Sequence, residues 1–214
     1  MLLPISIKIA ARSSNLSKAQ VLEVKELLKE QGVHVEFDAH LIDTLGDKDK
    51  TTSLKNQTNT NFFTKELDDL LLKGIVQATI HSAKDLPDPL PRGIEIVALT
   101  KGLSPLDCLV FKTLPKKNIR IGTSSKRRED MLKTLYKEAI IKDIRGTIEE
   151  RLKLIDDGIV DGVVVAKCAL TRLGLEHLNY IHLPISTHPM QGRLAILARE
   201  GDLEIKQLFA RIGY

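Results

Sequence analysis

The sequence predicts an α/β protein of two lobes, each a sheet with helices on its faces and a ligand cleft at the carboxyl ends of the strands. Three observations predict it. Apolar, β-branched runs of strand length alternate with segments of helical period along the whole chain. Two breaks, KGLSPL near 101–106 and PISTHPM near 184–190, read as crossings between lobes. The 214 residues, 43% hydrophobic and 28% charged, suit one large or two small domains at ~150 residues per domain. The expected division is 1–103 plus 185–214 for lobe one and 104–184 for lobe two.

The elements follow in order. ISIKIA (5–10) is a strand, and a helix from about Ser17 to Glu30 carries Val21, Val24, Leu27 and Leu28 on one face. VHVEFDAHLI (33–42) alternates as a strand. Residues 45–61, LGDKDKTTSLKNQTNTN, are polar and predict a long loop. A helix over about 62–73 precedes strands near 77–81 and 94–100. After Pro105, strands are expected at 107–112 and 118–121, a helix from about Ser125 to Lys137, and a strand at 139–144. A helix over about 147–157, the strand DGVVVA (161–166), a short helix to Leu173 and strands near 179–183 and 192–199 follow. A short helix over about 203–211 comes last. Strands alternating with helices imply parallel sheets.

Composition narrows the function. Lys and Arg number 32 against 28 Asp and Glu, a net charge of +4 that points to an anionic partner. Trp is absent and aromatics are 4%, so the core is aliphatic and stacking platforms for bases are missing. The arginines cluster at helix starts instead of forming a stripe, which argues against nucleic acid. No apolar run has the length of a membrane span. Cys108 and Cys168 have no CxxC spacing and no histidines beside them, so a reducing cytoplasm and no metal site are expected.

Three stretches carry chemistry-bearing residues. In IGTSSKRRED (121–130) a strand ends at Gly122, and Thr123, Ser124 and Ser125 offer caps for the next helix. Arg127 and Arg128 fall in that helix's first turn, where its dipole disfavours cations. An outside anion that compensates is one reading; a capped helix with solvated arginines is the other. In DIRGTIEERLKLIDDG, Arg145 leaves a strand before Gly146 and Arg151 lies one turn into a helix. Four arginines converging on one cleft would match a polycarboxylate or polyphosphate, against the alternative of surface pairs with Glu149, Glu150 and Asp156. HSAKDLPDPLPRGIEI (81–96) runs from a strand into a rigid turn with Pro at 87, 89 and 91. An aspartate beside Lys84 could stabilise a cation or shuttle a proton; the alternative is a turn-initiating Asp85 and a core His81.

Taken together and in order, HSAKDLPDPLPRGIEIVAL, SPLDCLV, IGTSSKRRED, DIRGTIEERLKLIDDGIVDGVVVAKCALTRLGL and HPMQGRLAI resemble the porphobilinogen deaminase (hydroxymethylbilane synthase) family. IAARSSNLSKAQ resembles that family's first strand, loop and helix. The resemblance covers essentially the whole chain. It implies two lobes like those of periplasmic binding proteins. It also implies a transferase of haem biosynthesis that joins four porphobilinogen units head to tail with loss of ammonia, on a dipyrromethane cofactor. Carried over residue by residue, Asp85 would be the catalytic acid/base. Arg12, Ser14, Lys84, Ser125, Arg127, Arg128, Arg145, Arg151 and Arg172 would hold the carboxylates of cofactor and substrate. The implied partners are porphobilinogen and the linear pyrrole chain, with neither nucleic acid nor membrane, for a cytoplasmic monomer.

The sequence also departs from the family pattern. The family's third, C-terminal domain carries the Gly-Gly-Cys segment whose thiol holds dipyrromethane; with the chain ending at Tyr214, that domain and its cysteine are expected to be absent. The lid segment Gly-Gly-Lys-Gly-Leu-Phe reads Thr58-Asn59-Thr60-Asn61-Phe62-Phe63, Arg-Gly-Asn reads Arg145-Gly146-Thr147, and a family glutamate falls at about Leu197. Three arrangements accommodate this. The chain is a short-form deaminase holding dipyrromethane without a covalent bond or through Cys168, a non-catalytic two-lobe binding protein for a small polycarboxylate or tetrapyrrole precursor, or one part of an assembly whose third domain comes in trans. The sequence leaves open whether Lys55 or another lysine takes over from the missing lid lysine.

Overall fold

A computed structural model of the chain describes residues 5–55, 61–113 and 117–213. They form two compact units, one of Met1–Lys48, Asn59–Leu103 and Gly192–Tyr214, the other of Asp49–Thr58 and Ser104–Gln191.

The first unit contains β1 (Ile5–Arg12), α1 (Asn15–Glu30), β2 (Val35–Ile42), α2 (Leu45–Lys48), α3 (Lys65–Leu72), β3 (Ala78–Ser82) and β4 (Ile94–Leu99). The second contains β5 (Asp107–Phe111), β6 (Arg120–Gly122), α4 (Lys126–Leu135), β7 (Ile140–Lys142), α5 (Ile148–Asp156), β8 (Gly162–Ala166), α6 (Lys167–Arg172) and β9 (Tyr180–His182). The chain then returns to the first unit through β10 (Leu194–Arg199) and α7 (Leu203–Phe209).

β1 is apolar toward its end because both of its faces are covered. Ile7, Ile9 and Ala11 pack with Val24 and Leu28 of α1 on one face, and Ala10 packs with Leu67 and Leu71 of α3 on the other. Val24 and Leu28 are fully buried, which stabilises α1 by roughly 1.5–3 kcal/mol for each side chain. In the second unit, α5 and α6 cover one face of β5 and β8 with Leu152, Ile155 and Leu170. α4 covers the other with Leu132.

The strand orders are β2-β1-β3-β10-β4 and β7-β6-β8-β5-β9. β1 is parallel to β2 and β3, and β6 is parallel to β7 and β8. The sheets are nonetheless mixed, not all parallel as expected: β10 runs antiparallel to β3 and β4, and β5 antiparallel to β8 and β9. The odd strand in each sheet is the first one after the chain arrives from the other unit. It enters at the carboxyl edge of its parallel neighbours and so runs against them. This places the first residues of β5 and β10 at the edge where binding residues of α/β sheets gather.

Two segments depart from the expected division. Residues 185–191, expected with lobe one, group with lobe two. Ile185 joins the core around Leu109 and Leu183, and Gln191 hydrogen-bonds Asp107. The 45–61 loop contains the one-turn α2, and its residues 49–55 pack with the second unit. The lid positions Thr58, Asn59 and Thr60 lie outside the described residues.

Candidate functional site

At the carboxyl edge of the first sheet, Arg12 ends β1 and Ser14 caps α1, its Oγ accepting the Ser17 N–H at 3.2 Å. Arg12 is already engaged. Its Nε donates to both oxygens of Asp47 (3.2 and 3.1 Å), its Nη2 also bonds Asp47, and its guanidinium lies 4.4 Å above the centre of the Phe63 ring. Gly46 makes this possible, since a Cβ there would come within 2.3 Å of the Phe63 ring. Burial alone would raise the Asp47 pKa, but Arg12 and Thr44 together hold it below its ordinary value.

β3 runs beside β1 and ends in the one-turn 3-10 helix Ala83–Asp85. The turn is tied at both ends of its entry: Gln20 Nε2 donates to Ser82 Oγ (2.8 Å), and the Ala83 N–H donates to the Arg193 carbonyl (3.0 Å). Lys84 and Asp85 follow, both half-buried. His81 is the core histidine of the two sequence readings. It is 5% exposed and shares a 2.9 Å hydrogen bond with Thr79 Oγ1. Burial, with the Arg12 charge added, drives its pKa down to about 3, so it is neutral at pH 7.

The second sheet has the corresponding edge. Thr123 and Ser125 follow β6; the Ser125 N–H donates to Thr123 Oγ1, and Ser125 Oγ caps the Arg128 N–H at 3.4 Å. Arg127 and Arg128 are brought together by Asp107, the first residue of β5. Asp107 supplies one internal negative charge for the two guanidinium groups. Arg145 donates Nη2 to the Asp49 carbonyl (2.9 Å) and Nη1 to that of Thr52. Arg151 Nε donates to the Gly146 carbonyl at 2.9 Å. Gly146 has φ +103°, and a Cβ there would sit 2.4 Å from Glu150 Oε2. Arg172 ends α6, half-buried.

Segment 49–55 binds this edge through side chains as well. Lys50 pairs with Glu150 at 2.5 Å, Ser53 bonds Asp143, and Lys55 pairs with Glu129 at 2.6 Å. Lys133 and Lys55 together bring the Glu129 pKa down to about 2. Lys55 is thus an ion-pair partner of Glu129 on α4. Cys108 and Cys168 are both buried, and burial pushes the Cys108 thiol up to about 11. Among the described residues no group of three or more His, Cys, Asp or Glu could hold a metal, and no helix is long and apolar enough to cross a membrane.

Sequence reasoning missed Asp47, Phe63, Asp107 and Gln191. Asp107 left a signal: an aspartate opening the apolar strand DCLVF must be paired if it is buried.

Two mixed five-stranded sheets with this connectivity define a two-lobe α/β protein of the periplasmic-binding-protein type. Among solved structures, the methionine-binding protein MetQ matches with a TM-score of 0.59 at 12% identity, over 97% of this chain and 89% of that one. A periplasmic substrate-binding protein of an ABC transporter from Coxiella burnetii matches with 0.57 at 14%, over 96% and 91%. At such identities the likeness is one of fold alone. The family model "Porphobilinogen deaminase, dipyromethane cofactor binding domain" matches residues 7–207, and the chain belongs to the porphobilinogen deaminase family. A probable porphobilinogen deaminase of Chlamydia pneumoniae is 42% identical over 212 residues, 96% of this chain and 89% of that protein. The porphobilinogen deaminase of Caldicellulosiruptor saccharolyticus is 41% identical over 97% of this chain and 73% of its own length. For a Prochlorococcus marinus relative the values are 35%, 94% and 67%.

The dipyrromethane named by the family fits these residues in one respect and not in another. Its acetate and propionate groups suit guanidinium forks. A thioether to Cys108 or Cys168 does not suit them, because both residues are buried.

Proposed function

We propose that the chain catalyses deaminase-type condensation of porphobilinogen in tetrapyrrole biosynthesis, holding pyrrole carboxylates on its arginines and handling protons through Asp85. The observation that carries this reading is Asp85. It is a half-buried carboxylate in a turn anchored by Gln20 and the Arg193 carbonyl, and among the described residues no hydrogen bond or ion pair engages it.

Each linkage joins the aminomethyl carbon of one unit to the unsubstituted α-carbon of the next. One ammonia leaves, and the α-carbon proton is given up. Between those events the pyrrole carries positive charge. An unpaired carboxylate stabilises such a charge and can take or return the proton. Arg12, Ser14 and Lys84 on the first edge, and Ser125, Arg127, Arg145, Arg151 and Arg172 on the second, orient the acetate and propionate groups. Bound dipyrromethane supplies the pyrrole end from which the chain grows; this chain's residues would hold it by its carboxylates.

Incubation with porphobilinogen, followed by absorbance, tests the proposal. Substrate disappears faster than with Asp85→Ala; equal rates overturn it. A second reading, a non-catalytic binder of a small polycarboxylate, draws on the same guanidinium groups without Asp85. It predicts binding of porphobilinogen with no ammonia released.

A further inference from the structure

Arg127 and Arg128 open α4, at the end of the helix whose dipole repels them. Their side chains differ in exposure, 32% for Arg127 and 9% for Arg128. A guanidinium as buried as that of Arg128 needs a counter-charge and acceptors for its N–H groups. Asp107, whose side chain is 0% exposed, provides the counter-charge for both. Its Oδ1 accepts from Arg128 Nη2 at 2.7 Å and its Oδ2 from Arg127 Nη2 at 2.8 Å. Gln191 Nε2 gives the carboxylate its third bond, to Oδ1 at 2.9 Å, and also donates to the Pro105 carbonyl at 2.6 Å. Arg128 Nη1 goes to the Val164 carbonyl at 3.1 Å, and Arg127 Nη1 to that of Ser186.

We infer that Asp107 is a positioning residue: its carboxylate fixes the Arg127 guanidinium at the carboxyl edge of the second sheet, Arg128 acts through Asp107, and Arg127 is the member of the pair that meets a ligand carboxylate. The inference deepens the proposed function and rests on it for the ligand. Burial alone would raise the Asp107 pKa, but Arg128, Arg127 and Gln191 hold it below the ordinary value, so the group is charged at neutral pH. Two arginines and one aspartate leave a net charge of +1. That residual charge attracts an anionic ligand, and the shared carboxylate sets where it is presented.

The sign of one substitution separates positioning from plain charge. Asp107→Asn raises the local charge to +2, so charge alone predicts tighter binding of an anion. Positioning predicts weaker binding.

The test is calorimetric titration of porphobilinogen into the wild type, Asp107→Asn, Arg127→Gln and the double variant. Each single change weakens binding by about tenfold or more, and the double variant is no weaker than Arg127→Gln alone, as for groups acting through one another. Unchanged or tighter binding by Asp107→Asn, or effects that multiply, overturns the inference. If Asp107→Asn does not fold, Gln191→Met removes the Gln191 bond to Asp107, together with those to the Pro105 and Leu106 carbonyls, and spares both ion pairs. It weakens binding in the wild-type background and not beside Arg127→Gln; no change in either overturns the inference.

A readout without ligand is the side-chain N–H spectrum of Arg127. Slowly exchanging guanidinium signals are expected in the wild type, and in Asp107→Asn or Gln191→Met they broaden. Signals already averaged in the wild type contradict the inference. If the wild type takes up no porphobilinogen, the proposed function fails, and this spectrum decides the role of Asp107 alone.

Discussion

Asp85 and His81 lie four residues apart, on either side of the end of β3, and are treated oppositely. His81 is enclosed and neutral, tied to Thr79, and belongs to the packing of the sheet. Asp85 lies beyond the strand, in a turn whose backbone is fastened by its neighbours. Replacing it by Asn keeps the volume and removes proton exchange. Turnover of porphobilinogen is expected to fall by about a hundredfold or more, with affinity measured by calorimetry within a few-fold of the wild type. Equal losses of both would move Asp85 from chemistry to binding.

His81 gives a pH prediction. Its folded pKa, about 3, lies below the 6.5 of an unperturbed histidine. The unfolded chain therefore binds the extra proton between those values, and stability falls as pH drops from 6.5 toward 3. The full effect is on the order of several kcal/mol, at about 1.4 kcal/mol for each pKa unit. Urea unfolding over this range should show the slope in the wild type and a flatter profile in His81→Gln. A parallel profile in both would place the acid sensitivity elsewhere.

At the scale of elements, each lobe repeats one device. A parallel strand ends, a hydroxyl caps the following helix, and an arginine nearby is neutralised by an aspartate from another segment. Arg12 has Asp47, and Arg127 and Arg128 have Asp107. Arg145 is held differently, by the carbonyls of Asp49 and Thr52, and depends on the loop after β7. That loop is closed by Gly146 and by the capping box of α5. Thr147 Oγ1 accepts the Glu150 N–H at 3.3 Å, and Glu150 Oε2 accepts the Thr147 N–H at 2.8 Å. Thr147→Ala is expected to cost about 1 kcal/mol in chemical denaturation. Gly146→Ala should cost more, about 1–3 kcal/mol, because the left-handed φ adds strain and the new methyl meets Glu150. A Gly146→Ala variant as stable as the wild type would show that the loop relaxes without using this geometry.

At the scale of the whole molecule, the two-lobe α/β plan was legible because it rests on periodicity: ISIKIA, DGVVVA and the helix bearing Val21, Val24 and Leu28 announce themselves locally. The family was legible because HSAKD and GTSSKRR are dense, ordered motifs. What the sequence concealed is non-local. Nothing near Asp107 says that it will meet arginines twenty residues on, or that Gln191, across a crossing, will join them. The antiparallel course of β5 and β10 depends on which edge the chain enters, which periodicity does not encode. The polar 49–55 segment reads as a loop, while its carbonyls, Lys50 and Lys55 bind the second lobe. Arg127, Arg128, Arg145 and Arg151 were legible from residue type and position, and Arg12 and Arg172 only through the family resemblance; their partners are set by the tertiary fold.

The central claim is that this arrangement of arginines and one aspartate links pyrroles. Mass spectrometry of the pyrrole products after incubation with porphobilinogen tests it most directly. The account predicts linear chains of up to four units, with one ammonia released for each linkage and none formed by Asp85→Ala. Recovery of porphobilinogen alone, bound or free, would contradict it.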